Sequence, residues 1–317
     1  MTQGVQHHDE VSGEAVGAFS EGVLARNSSS FRWASHFLPT GDREDATLLY
    51  AVCRGIDDVA DETEDVARAR QQLQRFRAEL TGQLAPRPLL REFLRMAHRR
   101  KMDLAYVLEL IRGVESDLGP VRIETDTELL RYCYRVAGTV GLMMCSVLGV
   151  EARRAWPHAI DLGMAMQLTN ICRDVGEDAE RDRVYLPASR LDEVGVSQAQ
   201  ILKGEFDARR LAGVVEDLLE LADVYYASGD EGMWAIPARA RTAILMASRI
   251  YRSIGVRLRR NGCDVRHVDR GPSLLSLAYW SWAAFGTWCI VTSPTHRPAE
   301  HRQVLHRALR GLPGIDS

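Results

Sequence analysis

The sequence has no C-x-x-C pair. Its six cysteines, Cys53, Cys133, Cys145, Cys172, Cys263 and Cys289, are scattered and mostly sit in apolar stretches. This argues against a disulfide framework and reads as reduced, buried thiols. An excess of one charge is also missing: 40 basic against 43 acidic residues leave a formal net charge of −3, which gives no basis for a nucleic-acid partner. Residues 1–14 are polar and lack the apolar centre of a signal peptide, so the expected location is cytoplasmic. The nine histidines show no H-E-x-x-H and no Cys/His ligand spacing, which sets zinc motifs aside. No G-x-G-x-x-G fingerprint is present.

Strand-like alternation is almost absent, no internal repeat is visible, and no Pro/Gly/Ser linker divides the chain. What remains is helix punctuation in a chain of 317 residues, 46% of them hydrophobic, enough for a substantial core. A first helix is expected to end before Pro39, and a second to start near Asp42, with Asp45 three residues on, and to run to Glu62. Helical patterns follow near 66–82, 87–99 and 102–117, and Gly119-Pro120 breaks the chain. Thr125 and Glu128 suit a capping box for a helix through Leu148; another helix runs from about Pro157 to Asp178. RDRVYLP (181–187) reads as a loop, and long helices near 207–227 and 236–260 complete the core. The expected fold class is all-α: one domain over 17–300, between a disordered tail at 1–16 and a C-terminal tail at 301–317.

Between Gly271 and Thr295 there is no charged residue, and Trp280, Trp282 and Trp288 fall within the run. A span needs about 20 mainly apolar residues, but Ser273, Ser276, Ser281 and Gly286 dilute this one. A buried terminal helix is the plain reading. Arg257, Arg259, Arg260, Arg266 and Arg270 flank the segment, and Trp with Arg favours a bilayer interface, so peripheral, salt-sensitive membrane contact is expected rather than a span.

Two acidic stripes carry the chemistry. In LLYAVCRGIDDVADE (48–62), positions four apart differ by about 40° in azimuth, so Asp57 and Asp61 share a face, with Arg54 and Tyr50 on the same side. In DLGMAMQLTNICRDVGED (161–178), Gln167, Asn170, Asp174 and Asp178 form one polar stripe among Leu162, Met164, Met166, Leu168 and Ile171. Either pair alone fits a solvated, ion-paired face. Buried unpaired carboxylates are costly, and two such stripes become tolerable when they face each other across cations. Oxygen ligands of this kind suit magnesium, which also accepts phosphate oxygens. Clamped magnesium can draw diphosphate from an allylic carbon, leaving a cation that needs a dry, aromatic-lined cavity. Tyr132, Tyr134, Phe31 and Tyr251 are candidate wall residues, and the small-residue run VAGTVG (136–141) fits either a cavity wall or close helix packing.

YAVCRGIDDVADE (50–62), YCYRVAGTVG (132–141) and QLTNICRDVGEDAERDRVYLP (167–187) resemble, in order and spacing, the squalene and phytoene synthase family. The resemblance covers about residues 20–270 and is nearest to bacterial phytoene synthases. It implies an isoprenoid-synthase-type helical bundle around a central cavity. It further implies Asp57, Asp61, Asn170, Asp174 and Asp178 as metal ligands, and Arg54, Tyr50, Tyr185, Tyr251 and Arg266 on the diphosphate side. NSSSF (27–31) resembles a diphosphate-contacting segment, implying Ser28 and Ser30, with Phe31 beside them; Tyr132, Ala137, Val140, Gly141 and Gln167 match positions lining the central channel. The implied reaction condenses two geranylgeranyl diphosphates head to head (1'-1), through a cyclopropylcarbinyl diphosphate, to phytoene. It would use Mg2+, with Mn2+ as a substitute, and no NADPH. A squalene or presqualene diphosphate synthase acting on farnesyl diphosphate is the alternative. Asp57-Asp58-Val59-Ala60-Asp61 also satisfies D-D-x-x-D, so a head-to-tail elongator or a terpene cyclase stands as a further reading. Asp174 to Asp178 repeats neither D-D-x-x-D nor N-D-x-x-S-x-x-x-E, which argues against both. A non-catalytic scaffold on the same fold would not need to keep four metal-binding aspartates.

Overall fold

The computed structural model describes residues 38–62, 65–266 and 299–315, with Gly286 alone between the last two stretches. The expected tail at 1–16, the helix before Pro39, Ser28, Ser30, Phe31 and the uncharged segment 271–295 (Gly286 apart) lie outside the described residues.

Eleven α-helices succeed one another among the described residues. They are α1 (Thr40–Glu62), α2 (Val66–Leu80), α3 (Pro88–Arg99), α4 (Leu104–Glu115), α5 (Asp126–Cys133), α6 (Thr139–Leu148), α7 (Trp156–Glu180), α8 (Ala188–Glu193), α9 (Gln198–Lys203), α10 (Ala208–Glu231) and α11 (Ala238–Arg260). The starts are chemically marked: Asp103 and Asp207 cap α4 and α10 by accepting backbone N–H bonds, and Ser197 with Gln200 forms a full capping box on α9. Thr125 caps α5 as expected, but Glu128 reaches back to the N–H of Glu124. Asp42 and Asp45 do not form the expected cap. α1 begins at Thr40, and both carboxylates turn instead into an ion-pair network with Arg99, Arg100 and Arg239.

The continuous helix expected through Leu148 is interrupted. Tyr134–Gly138 form one π-helical turn between α5 and α6, a widening that the apolar periodicity does not encode. The expected loop at 181–187 contributes Arg183–Val184 (β2), which pairs in parallel with Val121–Arg122 (β1). This two-residue ladder pins the loop beside the C-terminal end of α7.

α7 is the axis of the bundle. Its buried Ile160, Met164, Ala165, Leu168, Ile171 and Cys172 pack most extensively against α10, then against α6, the π turn and α11. The five described cysteines are buried and free, as expected. Residues 301–315, read from sequence as a tail, belong to the packed body. They include a 3-10 helix (Gln303–Leu309); His306, Leu309 and Leu312 are buried, and Tyr225 and Arg131 bond the carbonyls of Leu305 and Ala308 at 3.0 and 2.9 Å. No helix among the described residues is long and apolar enough to cross a membrane.

Candidate active site

Helical spacing brings the two acidic stripes together. Arg54, Asp57 and Asp61 of α1 and Gln167, Asn170, Asp174 and Asp178 of α7 line one polar cavity of about 260 Å³. Asp117, Tyr132, Arg181, Arg183 and Tyr185 complete its wall. A second cavity of about 510 Å³ is lined mainly by apolar side chains, among them Val140, Met144, Leu162, Met166 and Ile244. Arg54, Asp57, Val136, Gln167 and Asn170 line both, so the polar chamber adjoins the apolar one.

The charges are strongly coupled. Burial, then the charges on Asp61, Asp117 and Asp58, push the Asp57 carboxyl up to about 8 against the pull of Arg54. Burial and Asp174 push Asp178 up to about 7, and burial pushes Asp117 up to about 6 despite hydrogen bonds from Tyr185 and Tyr132. Resident arginines do not balance these acids. Arg54 is 2.5 Å from Asp58 and 3.8 Å from Asp61. Arg181 and Arg183 each lie 3.1 Å from Asp61, and Arg173 clasps Asp174 with two nitrogens. Asn170 Oδ1 is buried with no partner among the described residues. An oxygen-only donor set, carboxyls driven toward protonation for want of positive charge, and an orphaned amide oxygen together fit hard divalent cations. Asp57, Asp61, Asn170, Asp174 and Asp178 are the residues that would hold them.

Tyr132 and Tyr185 stack at 4.7 Å, and both hydroxyls donate to Asp117, at 3.0 and 2.7 Å. Burial holds both phenols above their usual range, so they remain donors. Ala137, Val140, Gly141, Tyr50 and Tyr251 line the apolar chamber, with Gln167 at the junction. Tyr50 and Tyr251, expected on the diphosphate side, thus face the apolar chamber, although Tyr251 feels the charges of Arg173 and Asp174. Tyr134 is not a cavity wall: it is fully buried and its hydroxyl donates to the carbonyl of Pro313. Arg266 lines neither cavity; it is exposed and bonds Asp264 two residues back, at 3.0 and 3.1 Å. Sequence reasoning missed Asp117, which has no motif around it, and Arg181 and Arg183, which sit inside the quoted 167–187 string.

The profile of squalene/phytoene synthases matches residues 24–278. The chain belongs to the squalene/phytoene synthase family. The squalene/phytoene synthases are divalent-metal-dependent prenyltransferases, and the chain is an enzyme of this type. It is 37% identical over 250 residues to the 15-cis-phytoene synthase of a Paracoccus species, covering 76% of this chain and 81% of that one. It is 38% identical to the phytoene synthase of Thermus thermophilus, over 76% of this chain and 83% of that one. A dehydrosqualene synthase crystallised with a ligand superposes with a TM-score of 0.79 at 27% identity, covering 88% of this chain and 99% of that one. A squalene synthase of Alicyclobacillus acidocaldarius, at 21% identity and a TM-score of 0.68, covers 80% of this chain and 96% of that one and shares the fold.

Proposed function

We propose that this squalene/phytoene synthase family member condenses two molecules of geranylgeranyl diphosphate head to head to phytoene. The observation that carries the reading is the junction of a carboxylate-lined chamber with a larger apolar one, in a chain that matches phytoene synthases over most of its length. The polar chamber suits the diphosphates and the apolar chamber the isoprenoid chains. Magnesium, with manganese as its substitute, is the cation that the oxygen donors favour; when bound it supplies the Lewis-acid charge that neutralises a departing diphosphate.

The chain's own residues do the rest. Arg54, Arg181 and Arg183 line the polar chamber and bring fixed positive charge to the diphosphate oxygens. Val140, Met144, Leu162, Met166 and Ile244 exclude water from the cation and from the cyclopropylcarbinyl intermediate. Asp117 fixes the Tyr132 and Tyr185 hydroxyls, leaving their rings and oxygens oriented at the chamber's edge. Because the product is a hydrocarbon, it leaves into lipid, and the Trp-rich segment 271–295 with its flanking arginines supports peripheral attachment to the inner face of the cell membrane.

The test is incubation of the full chain with geranylgeranyl or farnesyl diphosphate and magnesium, with and without NADPH, and then product mass. A forty-carbon hydrocarbon formed without reductant is the expected result. Consumption of farnesyl diphosphate alone would replace this reading with a squalene-type or presqualene-type one.

A further inference from the structure

A second polar cluster lies away from the carboxylate chamber, where residues 299–315 meet α7 and α10. Asp161 of α7 is fully buried, at 0% exposure, and its two oxygens are shared between two imidazoles. His306 Nε2 lies 2.7 Å from Oδ1 and His301 Nε2 lies 2.8 Å from Oδ2. From α10, the Ser228 hydroxyl donates to Oδ2 at 2.5 Å, and His158 Nδ1 lies 3.0 Å from that same hydroxyl. The donor atoms of Asp161, His301 and His306 all fall within 4.8 Å of one another. Among the described residues no arginine or lysine bonds Asp161. Neutral imidazoles give this carboxylate hydrogen bonds but no compensating charge, and a buried anion is costly without one.

We propose that Asp161, His301 and His306 form a binding site for a divalent transition metal of the zinc class, distinct from the oxygen-lined catalytic site. Two imidazole nitrogens and one carboxylate oxygen make a borderline donor set that suits zinc and disfavours magnesium. Each neutral imidazole takes the metal on Nε2 while carrying its proton on Nδ1. Tetrahedral ligation at the usual zinc bond lengths separates ligand atoms by about 3.3 Å, so each contact opens by about half an ångström. The shell behind the ligands is already in place: Ser228 orients Asp161, and His158 orients Ser228. His301 and His306 lie beyond the family match at 24–278, which explains why no metal spacing is visible in the sequence: the third ligand is 140 residues away from His301.

The site would fasten the C-terminal segment to the helix that carries the second acidic motif. It also stands behind the apolar chamber, because His158, whose ring meets that of His301 at 5.2 Å between centroids, lines the chamber together with Leu162.

The experiment uses the full chain stripped of metal by chelator and titrated with Co2+, read by visible absorption, then with Zn2+ to displace it. About one equivalent giving the intense bands of tetrahedral cobalt is expected. Those bands should be retained in Asp61→Asn/Asp174→Asn, which disables the acidic chamber. His301→Gln and His306→Gln should each weaken Co2+ binding by at least about tenfold and remove the rise in melting temperature that Zn2+ gives the wild type. Melting without metal shows whether each variant is folded; His301, at the edge of the cluster, is the safer of the two. Wild-type chain without tetrahedral bands overturns the proposal. So do bands that persist unchanged in both histidine variants, or that vanish only in the Asp61/Asp174 variant.

Discussion

Replacing Gly163 by alanine tests how tightly the walls of the apolar chamber are set. The helix through the π turn and α6 crosses α7 with glycine at both points of approach. A Cβ at Gly163 would lie 2.3 Å from the carbonyl oxygen of Ala137, and one at Gly141 would lie 2.2 Å from that of Ala159. Ordinary contact begins near 3.4 Å, so the helices must separate by about 1 Å, and the obstructing atoms are backbone that no rotamer change can move. Overpacking of this kind costs about 1–3 kcal/mol. At about 2–4 °C per kcal/mol for domains somewhat smaller than this one, Gly163→Ala should melt lower by about 2–10 °C. Gly213 of α10 is the control: a Cβ there meets nothing within 4 Å. Gly213→Ala should therefore gain about 0.5–1 kcal/mol from reduced chain entropy and melt slightly higher. Thermal unfolding monitored by circular dichroism gives both numbers. Because Ala137, Gly141, Ala159 and Gly163 also line the chamber, the Gly163 variant should lose affinity for the long substrate as well. A Gly163→Ala protein that melts at or above the wild type would refute the close crossing and the chamber shape built on it.

Asp61→Ala and Asp174→Ala should each lower turnover by on the order of 10²–10³-fold, the usual effect of removing a charge clamp on a leaving group, with the helical circular dichroism intact; full turnover in Asp174→Ala with magnesium still required would remove the second motif from the site. Trp280→Ser/Trp282→Ser should sediment less with anionic vesicles at low salt while still turning over detergent-dispersed substrate. Wild-type chain that ignores such vesicles, together with an unfolded double variant, would make that segment core.

What could be read in advance was whatever helix geometry alone determines. Asp57 with Asp61, and Gln167, Asn170, Asp174 and Asp178, converge because a residue's azimuth on a helix is set by its number, and the structure lines one chamber with all of them. Asp117 could not be read this way. It stands alone in the turn after α4, and its meaning comes from Tyr132 and Tyr185, which are 15 and 68 residues distant. Arg266 illustrates the opposite error: its place after the motifs suggested a diphosphate role, but a two-residue turn closes it on Asp264. The tail at 301–317 looked dispensable because its polar residues suggest solvent, whereas His306 and Leu309 are buried by partners on other helices.

The π turn at Tyr134–Gly138 sets the phase of α6 relative to α5. A π turn holds one residue more than the α turn it replaces, which advances every later side chain by about 100° around the helix axis. With that offset Tyr132 looks into the polar chamber, while Val140, Gly141 and Met144 look into the apolar one. Deleting any one residue of the turn would leave composition and hydropathy nearly untouched, yet would rotate the whole downstream wall away from the substrate. At this position the identity of the enclosing surface depends on residue count more than on residue type, so length variation here should be far less tolerated than substitution.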